Sequence, residues 1–266
     1  MTFLQSIILG IVEGITEFLP ISSTAHLILT AEWLKIPDSS SLKSFLIAIQ
    51  LGAILSVAVL YTKTLIKSPR LILKIIAAFI PTTIIGLVAY GLVKNYLMES
   101  LTVIASALII GGILLIILEK YFSKKEKKSA LDSTTIPEQN LNDLSYKHAT
   151  LIGVFQTLAI VPGVSRSAAT IMGGLSLGVS RKNIVEFSFL LALPTMAAAT
   201  ALDLYKEPPV LVGSDIMIWL TGLIVAFITA VLGIKFFLRF IQKNNFIPFG
   251  WYRIFIGLVI FAYLFL

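Results

Sequence analysis

Long apolar runs broken by short polar ones set the organisation of this chain. Six of them, near residues 44 to 62, 74 to 93, 101 to 118, 184 to 202, 216 to 234 and 249 to 266, are long enough and sufficiently free of charge to read as transmembrane helices. Two further apolar stretches, 3 to 33 and 148 to 178, are interrupted by Pro and small polar residues. Interruption at membrane depth is tolerated only where the backbone faces protein or a polar cavity, so these stretches predict re-entrant helical hairpins. Between them lies residues 120 to 147, basic and uneven, expected as a solvated loop. The fold class expected is an all-α polytopic membrane protein, one integral membrane domain over residues 1–266.

The two interrupted stretches can be laid over one another. At an offset of 142 residues Pro20 meets Pro162, Ser23 meets Ser165 and Phe45 meets Phe187. The segments 1–119 and 148–266 then form two repeats of one hairpin and three spans each, joined by the loop 120–147. Three is odd, so the second copy starts on the opposite face of the membrane, as in inverted-topology folds whose sites lie between broken helices at the midplane.

Charge tests this layout. Residues 63–74, 120–147, 181–182 and 235–243 hold fifteen of the 21 Lys and Arg, against Lys35, Lys43, Lys94 and Lys206 on the other side. The positive-inside rule makes the first set cytoplasmic. The first hairpin then enters from outside and the second from the cytoplasm, with their tips meeting inside the membrane. Two cations remain inside apolar sequence: Arg253, placed to snorkel to the cytoplasmic end of its span, and Arg166, which has no such escape.

With 57% hydrophobic and 13% charged residues, the chain exceeds what a soluble core needs. The absence of Cys removes disulfides, thiolate nucleophiles and cysteine metal sites. The first residues, MTFLQSIILG, lack a basic n-region, so no cleaved signal peptide is expected.

Candidate chemistry concentrates in the hairpins. IVEGITEFLPISSTAHLIL, from Ile11 to Leu29, places Glu13, Glu17, Ser22, Ser23, Thr24 and His26 in apolar sequence, where polar groups mark function by default. Glu13 and Glu17 lie four apart on one helix face, Pro20 ends that helix, and the hydroxyls can cap the next. The second tip offers Pro162, Gly163, Ser165, Arg166, Ser167 and Thr170, a guanidinium fork with hydroxyls and helix-start amides suited to phosphate. Plainer roles stand beside these: the two acids as counter-ions of Arg166, the serines as caps or packing residues, and His26 as a satisfied core histidine. His148 and the lysines of 120–128 read as solvent or headgroup contacts.

EGITEFLPISSTAH and PGVSRSAAT resemble the two signature motifs of the bacterial undecaprenyl-pyrophosphate phosphatase, or bacitracin-resistance protein, family. The resemblance continues through IQLGAI at Ile49–Ile54, EFSFLLALP at Glu186–Pro194, ATALDLYK at Ala199–Lys206 and FIPFGWYR near the end. Ala25 and Ala168 depart from the family's common residues by small-for-small changes. The resemblance implies hydrolysis of a C55 polyprenyl pyrophosphate to the monophosphate carrier of cell-wall synthesis, in the bacterial inner membrane, with a site open to the outer (periplasmic) face. The partners expected are that lipid and the bilayer, with no nucleic acid; the oligomeric state stays open.

The residues accommodate this reading. Arg166, Ser22, Thr24, Ser165, Ser167 and Thr170 are the expected phosphate-binding set, and Glu13 with Glu17 the expected ligands of a divalent cation, Mg²⁺ or Ca²⁺. Attack by Ser23, activated by His26 or a Glu, and attack by a water held by the same groups both fit; Ser23 with His26 as proton-transfer partner is the assignment preferred. The competing class is a polyprenyl-phosphate flippase or transporter, which needs the head-group site but no nucleophile.

Overall fold

The computed structural model describes residues 1–92, 100–131, 140–206 and 215–265. Of the basic residues that set the sidedness, Lys94 and the side chains of Lys125, Lys127 and Lys128 lie outside the described residues. Ten α-helices are found there: α1 (Phe3–Thr16), α2 (Ser23–Trp33), α3 (Ser40–Lys67), α4 (Pro69–Leu92), α5 (Leu101–Leu131), α6 (Tyr146–Gln156), α7 (Arg166–Ser176), α8 (Arg181–Lys206), α9 (Asp215–Ile241) and α10 (Ile247–Leu264). Six of them, α3, α4, α5, α8, α9 and α10, are long and apolar enough to cross a membrane.

The interrupted stretches are helical hairpins. Helix α1 has 14 residues and α2, α6 and α7 have 11 each, short of the roughly 20 that a bilayer needs. Helices α3, α4, α8 and α9 are each a few residues longer than their apolar runs, because polar residues start or end them. Ser39 accepts from the Leu42 N–H at the start of α3, and Pro69 opens α4, where a missing N–H costs nothing.

One expectation changes. Residues 120–131 are not loop: α5 continues through them to Leu131, and a turn of 3-10 helix follows at Leu141–Asp143. Lys, Glu, Ala and Leu are strong helix formers, so a charged helix end persists in water once the membrane-embedded part has nucleated it.

The two halves exchange partners as a two-fold axis requires. Helix α1 packs on α9 as α6 packs on α4; α3 packs on α9 as α8 packs on α4; α5 meets α10 and α3 meets α8 across the axis. Apolar burial does not drive helices together in lipid, so close backbone approach and interhelical hydrogen bonds do that work. The equivalent glycines show it: a methyl group on Gly10 would lie 2.7 Å from the Gly222 carbonyl oxygen, and one on Gly153 would lie 1.9 Å from that of Ala78. Their own carbonyls are tied the same way, Gly10 accepting from the Thr229 hydroxyl at 3.2 Å and Gly153 from the Thr82 hydroxyl at 3.1 Å.

These pairs correct the register. In the hairpins the offset is 143, with Gly10 on Gly153, Ser22 on Ser165 and Ser23 on Arg166; the helix starts Ser23 and Arg166 agree. Proline alignment misleads by one residue because the two loops place Pro20 and Pro162 differently relative to the next helix start.

Candidate functional site

The hairpin tips meet in the interior, and their contacts are polar. The Ser167 hydroxyl of the second tip donates to the Phe18 carbonyl of the first at 2.9 Å. Arg166 Nη2 donates to Glu17 Oε1 at 3.0 Å, both side chains being largely buried. The other oxygen of Glu17, Oε2, accepts a short hydrogen bond from the Ser23 hydroxyl. Ser23, Glu17 and Arg166 therefore form one chain of donors and acceptors across the two tips.

Arg166 is held in its plane by further contacts. Nη1 donates to the Ser188 carbonyl at 2.9 Å, Nη2 also reaches Met196 Sδ at 3.4 Å, and the guanidinium lies 5.6 Å from the centre of the Phe18 ring. Its Nε–H is buried without a partner. That donor, part of the fixed cation itself, is what an anion's oxygen would take up.

A cavity of about 590 Å³ opens in front of this chain of groups. Glu17, Ser22, Ser23, Thr24, Ser165 and Arg166 line its polar end, and Phe79, Leu87, Ile160, Val161, Met196 and Leu202 its apolar walls. Much of the wall comes from the middle and C-terminal parts of α4 and α8, whose N-terminal ends carry Arg70 and Lys74, and Arg181 and Lys182, with Ile160 and Val161 added from the segment between α6 and α7. The cavity thus sits in the half of the bundle away from the basic ends.

The expected phosphate set divides. Ser22, Thr24, Ser165 and Arg166 face the cavity, whereas Ser167 and Thr170 do not line it. Thr170 shares a 2.7 Å hydrogen bond with Ser188 and donates to backbone carbonyls of its own helix, so it and Ser167 tie α7 to its neighbours. The Ser165 hydroxyl accepts from the Ala168 N–H at 3.2 Å as the N-cap of α7.

His26 and Ser23 do not pair. Nδ1 of His26 lies 2.7 Å from the Ser22 carbonyl and Nε2 lies 2.8 Å from the Tyr252 hydroxyl, and His26 is not among the residues lining the cavity. The base in contact with Ser23 is Glu17.

Glu13 is fully buried, and neither carboxylate oxygen accepts a hydrogen bond. Its charged neighbours are Glu17 and Arg166. A buried carboxyl lying against that of Glu17 in a membrane interior calls for a cation or for a proton, which the two carboxyls can share. A carboxylate is the kind of oxygen ligand a hard divalent cation takes, with Glu17 as the neighbouring one, although Glu13 does not line the cavity. Among the described residues no cluster of three or more His, Asp or Glu joins it.

Two features escaped the sequence reading. Arg253 does not snorkel: it is fully buried and all of its N–H groups point at backbone carbonyls, those of Pro20, Gly163, Val164, Ala107 and Leu108. One side chain of α10 thus joins both tips to α5. The signal available was an Arg in an apolar run with no acid one turn away. Gln156 is the second feature: its amide nitrogen donates to Thr82 at 2.8 Å and Thr195 at 3.1 Å, all three on the cavity wall. At the corrected offset it is the counterpart of Glu13, which the 142-residue alignment concealed.

Comparison with known proteins identifies relatives along nearly the whole chain. The family model described as "Bacitracin resistance protein BacA" matches residues 6–259. A relative from Bdellovibrio bacteriovorus is 48% identical over 260 residues, covering 98% of this chain and 95% of its own. One from Aquifex aeolicus is 48% identical over 263 residues, covering 99% of both chains, and one from Wolinella succinogenes is 47% identical over 264 residues, again 99% of both. All three carry the name undecaprenyl-diphosphatase. Matched along nearly its whole length, with its polar motifs gathered at one pair of hairpin tips, the chain belongs to the bacitracin resistance protein BacA family.

Proposed function

We propose that this protein is a multi-pass membrane hydrolase that splits undecaprenyl pyrophosphate into undecaprenyl phosphate and inorganic phosphate. The observation that carries the reading is the chain Ser23, Glu17, Arg166 at the polar end of a cavity with apolar walls. A hydroxyl on a carboxylate, the carboxylate on a guanidinium, and an idle Arg N–H beside them are the parts that phosphoryl transfer requires. A flippase would need none of the Ser23–Glu17 contact.

In this reading the terminal phosphate lies against the Arg166 Nε–H and the open N-terminus of α2, and the polyprenyl tail runs along the apolar wall into lipid. Ser23 Oγ attacks the terminal phosphorus while Glu17 Oε2 takes the hydroxyl proton. The bond from that phosphorus to the bridging oxygen breaks, and undecaprenyl phosphate leaves with the electron pair. Glu17 passes that proton to the departing phosphate oxygen; water then attacks the phosphoserine, Glu17 accepts a proton from the water, the P–Oγ bond breaks, and Glu17 returns the proton to Ser23 Oγ as inorganic phosphate leaves. Arg166 offsets the charge that gathers on the phosphate oxygens in both steps.

Glu13, with Glu17 beside it, would hold a divalent cation, Mg²⁺ or Ca²⁺. When bound, such an ion supplies charge neutralisation to phosphate oxygens. We assign the protein to the inner membrane, with the cavity facing the periplasm; support comes from the basic ends of α4 and α8, which point the other way.

The test is phosphate release from polyprenyl pyrophosphate in detergent, where translocation has no meaning. Ser23→Ala is expected to lower kcat at least about a hundredfold, the usual scale for removing a catalytic nucleophile or its proton transfer. Turnover near wild type in a folded Ser23→Ala protein would move the attack to water and remove Ser23 from the mechanism.

A further inference from the structure

The two tips contain equivalent residues in the same unusual backbone conformation, secured in different ways. Ser22 has φ 72° and Ser165 has φ 70°, left-handed values that non-glycine residues rarely adopt. At the second tip the ordinary devices hold the turn: the Ser165 hydroxyl accepts from the Ala168 N–H, and the Ala169 N–H donates to the Ser165 carbonyl at 3.0 Å. At the first tip neither operates normally. The Ser22 hydroxyl makes no capping bond, and the matching backbone bond, from the His26 N–H to the Ser22 carbonyl, is stretched to 3.4 Å.

The imidazole of His26 stands in for both. Its Nδ1 lies 2.7 Å from the Ser22 carbonyl oxygen. A carbonyl only accepts, so Nδ1 carries the proton, and in a neutral ring Nε2 must then accept. The Tyr252 hydroxyl, 2.8 Å away, donates to it, and the two rings stack with centroids 5.5 Å apart and planes 9° from parallel. The Ser22 carbonyl thus fixes the tautomer, and Tyr252 of α10 holds the ring in the orientation that grips Ser22. The result is that Ser22 is spared from capping its own helix as Ser165 does, while Ser22, Ser23 and Thr24 all line the cavity.

We infer that His26 is a positioning residue, with Tyr252 as a second one behind it: the Nδ1–H of His26 holds the Ser22 carbonyl in the left-handed turn, leaving the Ser22 hydroxyl and the first amides of α2 to the phosphate. The inference rests on the hydrolase reading of the cavity. It separates His26 from proton transfer, which falls to Glu17.

Amide substitutions test it, because Asn places an N–H close to the position of Nδ1 whereas Gln places one close to that of Nε2. Phosphate release in detergent is measured for His26→Asn, His26→Gln, His26→Ala and Tyr252→Phe, with size-exclusion profile and thermal unfolding confirming that each is folded. His26→Asn is expected to keep kcat within roughly fivefold of wild type and its pH profile unchanged. His26→Gln and His26→Ala leave the Ser22 carbonyl short of a donor and should lose roughly 5- to 150-fold, the range for an unsatisfied buried polar group. Tyr252→Phe should lose a few-fold in kcat, since the ring loses the hydrogen bond that holds its orientation. Activity in His26→Gln equal to or above that in His26→Asn overturns the inference, as does equal loss in all three folded His26 variants; either leaves the hydrolase reading intact. A wild-type protein that releases no phosphate overturns both.

Discussion

Arg166→Lys separates recognition of phosphate from charge balance. In the native site the guanidinium spends Nη2 on Glu17, at 3.0 Å, and Nη1 on the Ser188 carbonyl, at 2.9 Å, and keeps Nε–H without a partner. Lys retains the positive charge, so the ion pair with Glu17 can re-form and no uncompensated carboxylate is left. What Lys cannot do is hold a planar fork: its single nitrogen reaches Glu17 or the phosphate, not both along with Ser188. One hydrogen bond to a charged partner, the phosphate, is lost in the transition state, about 1.5–3 kcal/mol. That amounts to roughly 10- to 10²-fold in kcat/KM. The assay is phosphate release from polyprenyl pyrophosphate in detergent across substrate concentration, with thermal unfolding in parallel. The midpoint should stay close to wild type. Turnover within about fivefold of wild type would refute the fork role and leave Arg166 as a counter-ion for the two acids.

Two further outcomes are expected. Glu13→Gln should slow turnover, and raising divalent cation should partly restore it, since the amide keeps one oxygen ligand while losing the charge; an activity indifferent to both changes would remove the carboxylate from metal binding. Single cysteines introduced at Lys124 and Lys206 of this Cys-free chain should label from opposite faces of the membrane with an impermeant thiol reagent, and labelling from one face would break the inverted layout.

The amino-acid sequence by itself determined the membrane class, the six spans, the two hairpins and the side on which the cations gather. These follow from local quantities: the length of an apolar run, the breaks at Pro20 and Pro162, and counts of Lys and Arg between runs. It also marked Glu13, Glu17, Ser23 and Arg166, because polar groups in apolar sequence stand out wherever they fold. Only the tertiary structure decided which of them meet. His26 is three residues from Ser23, yet its ring turns to Tyr252, 226 positions away, while Ser23 finds Glu17 six positions back. Helical periodicity could not choose between these partners, because the chain between Glu17 and Ser23 is a turn containing a left-handed residue and has no helical period. Arg253 shows the same limit from the other direction. Sequence displays what it costs to bury a cation in lipid but not the carbonyls that offset it. Three of those, on Pro20, Gly163 and Val164, belong to loops where the helices are broken, so their oxygens have no helical N–H to receive. Hairpin tips brought together from opposite faces create that cluster of acceptors, and it exists only once both halves of the repeat have folded against each other.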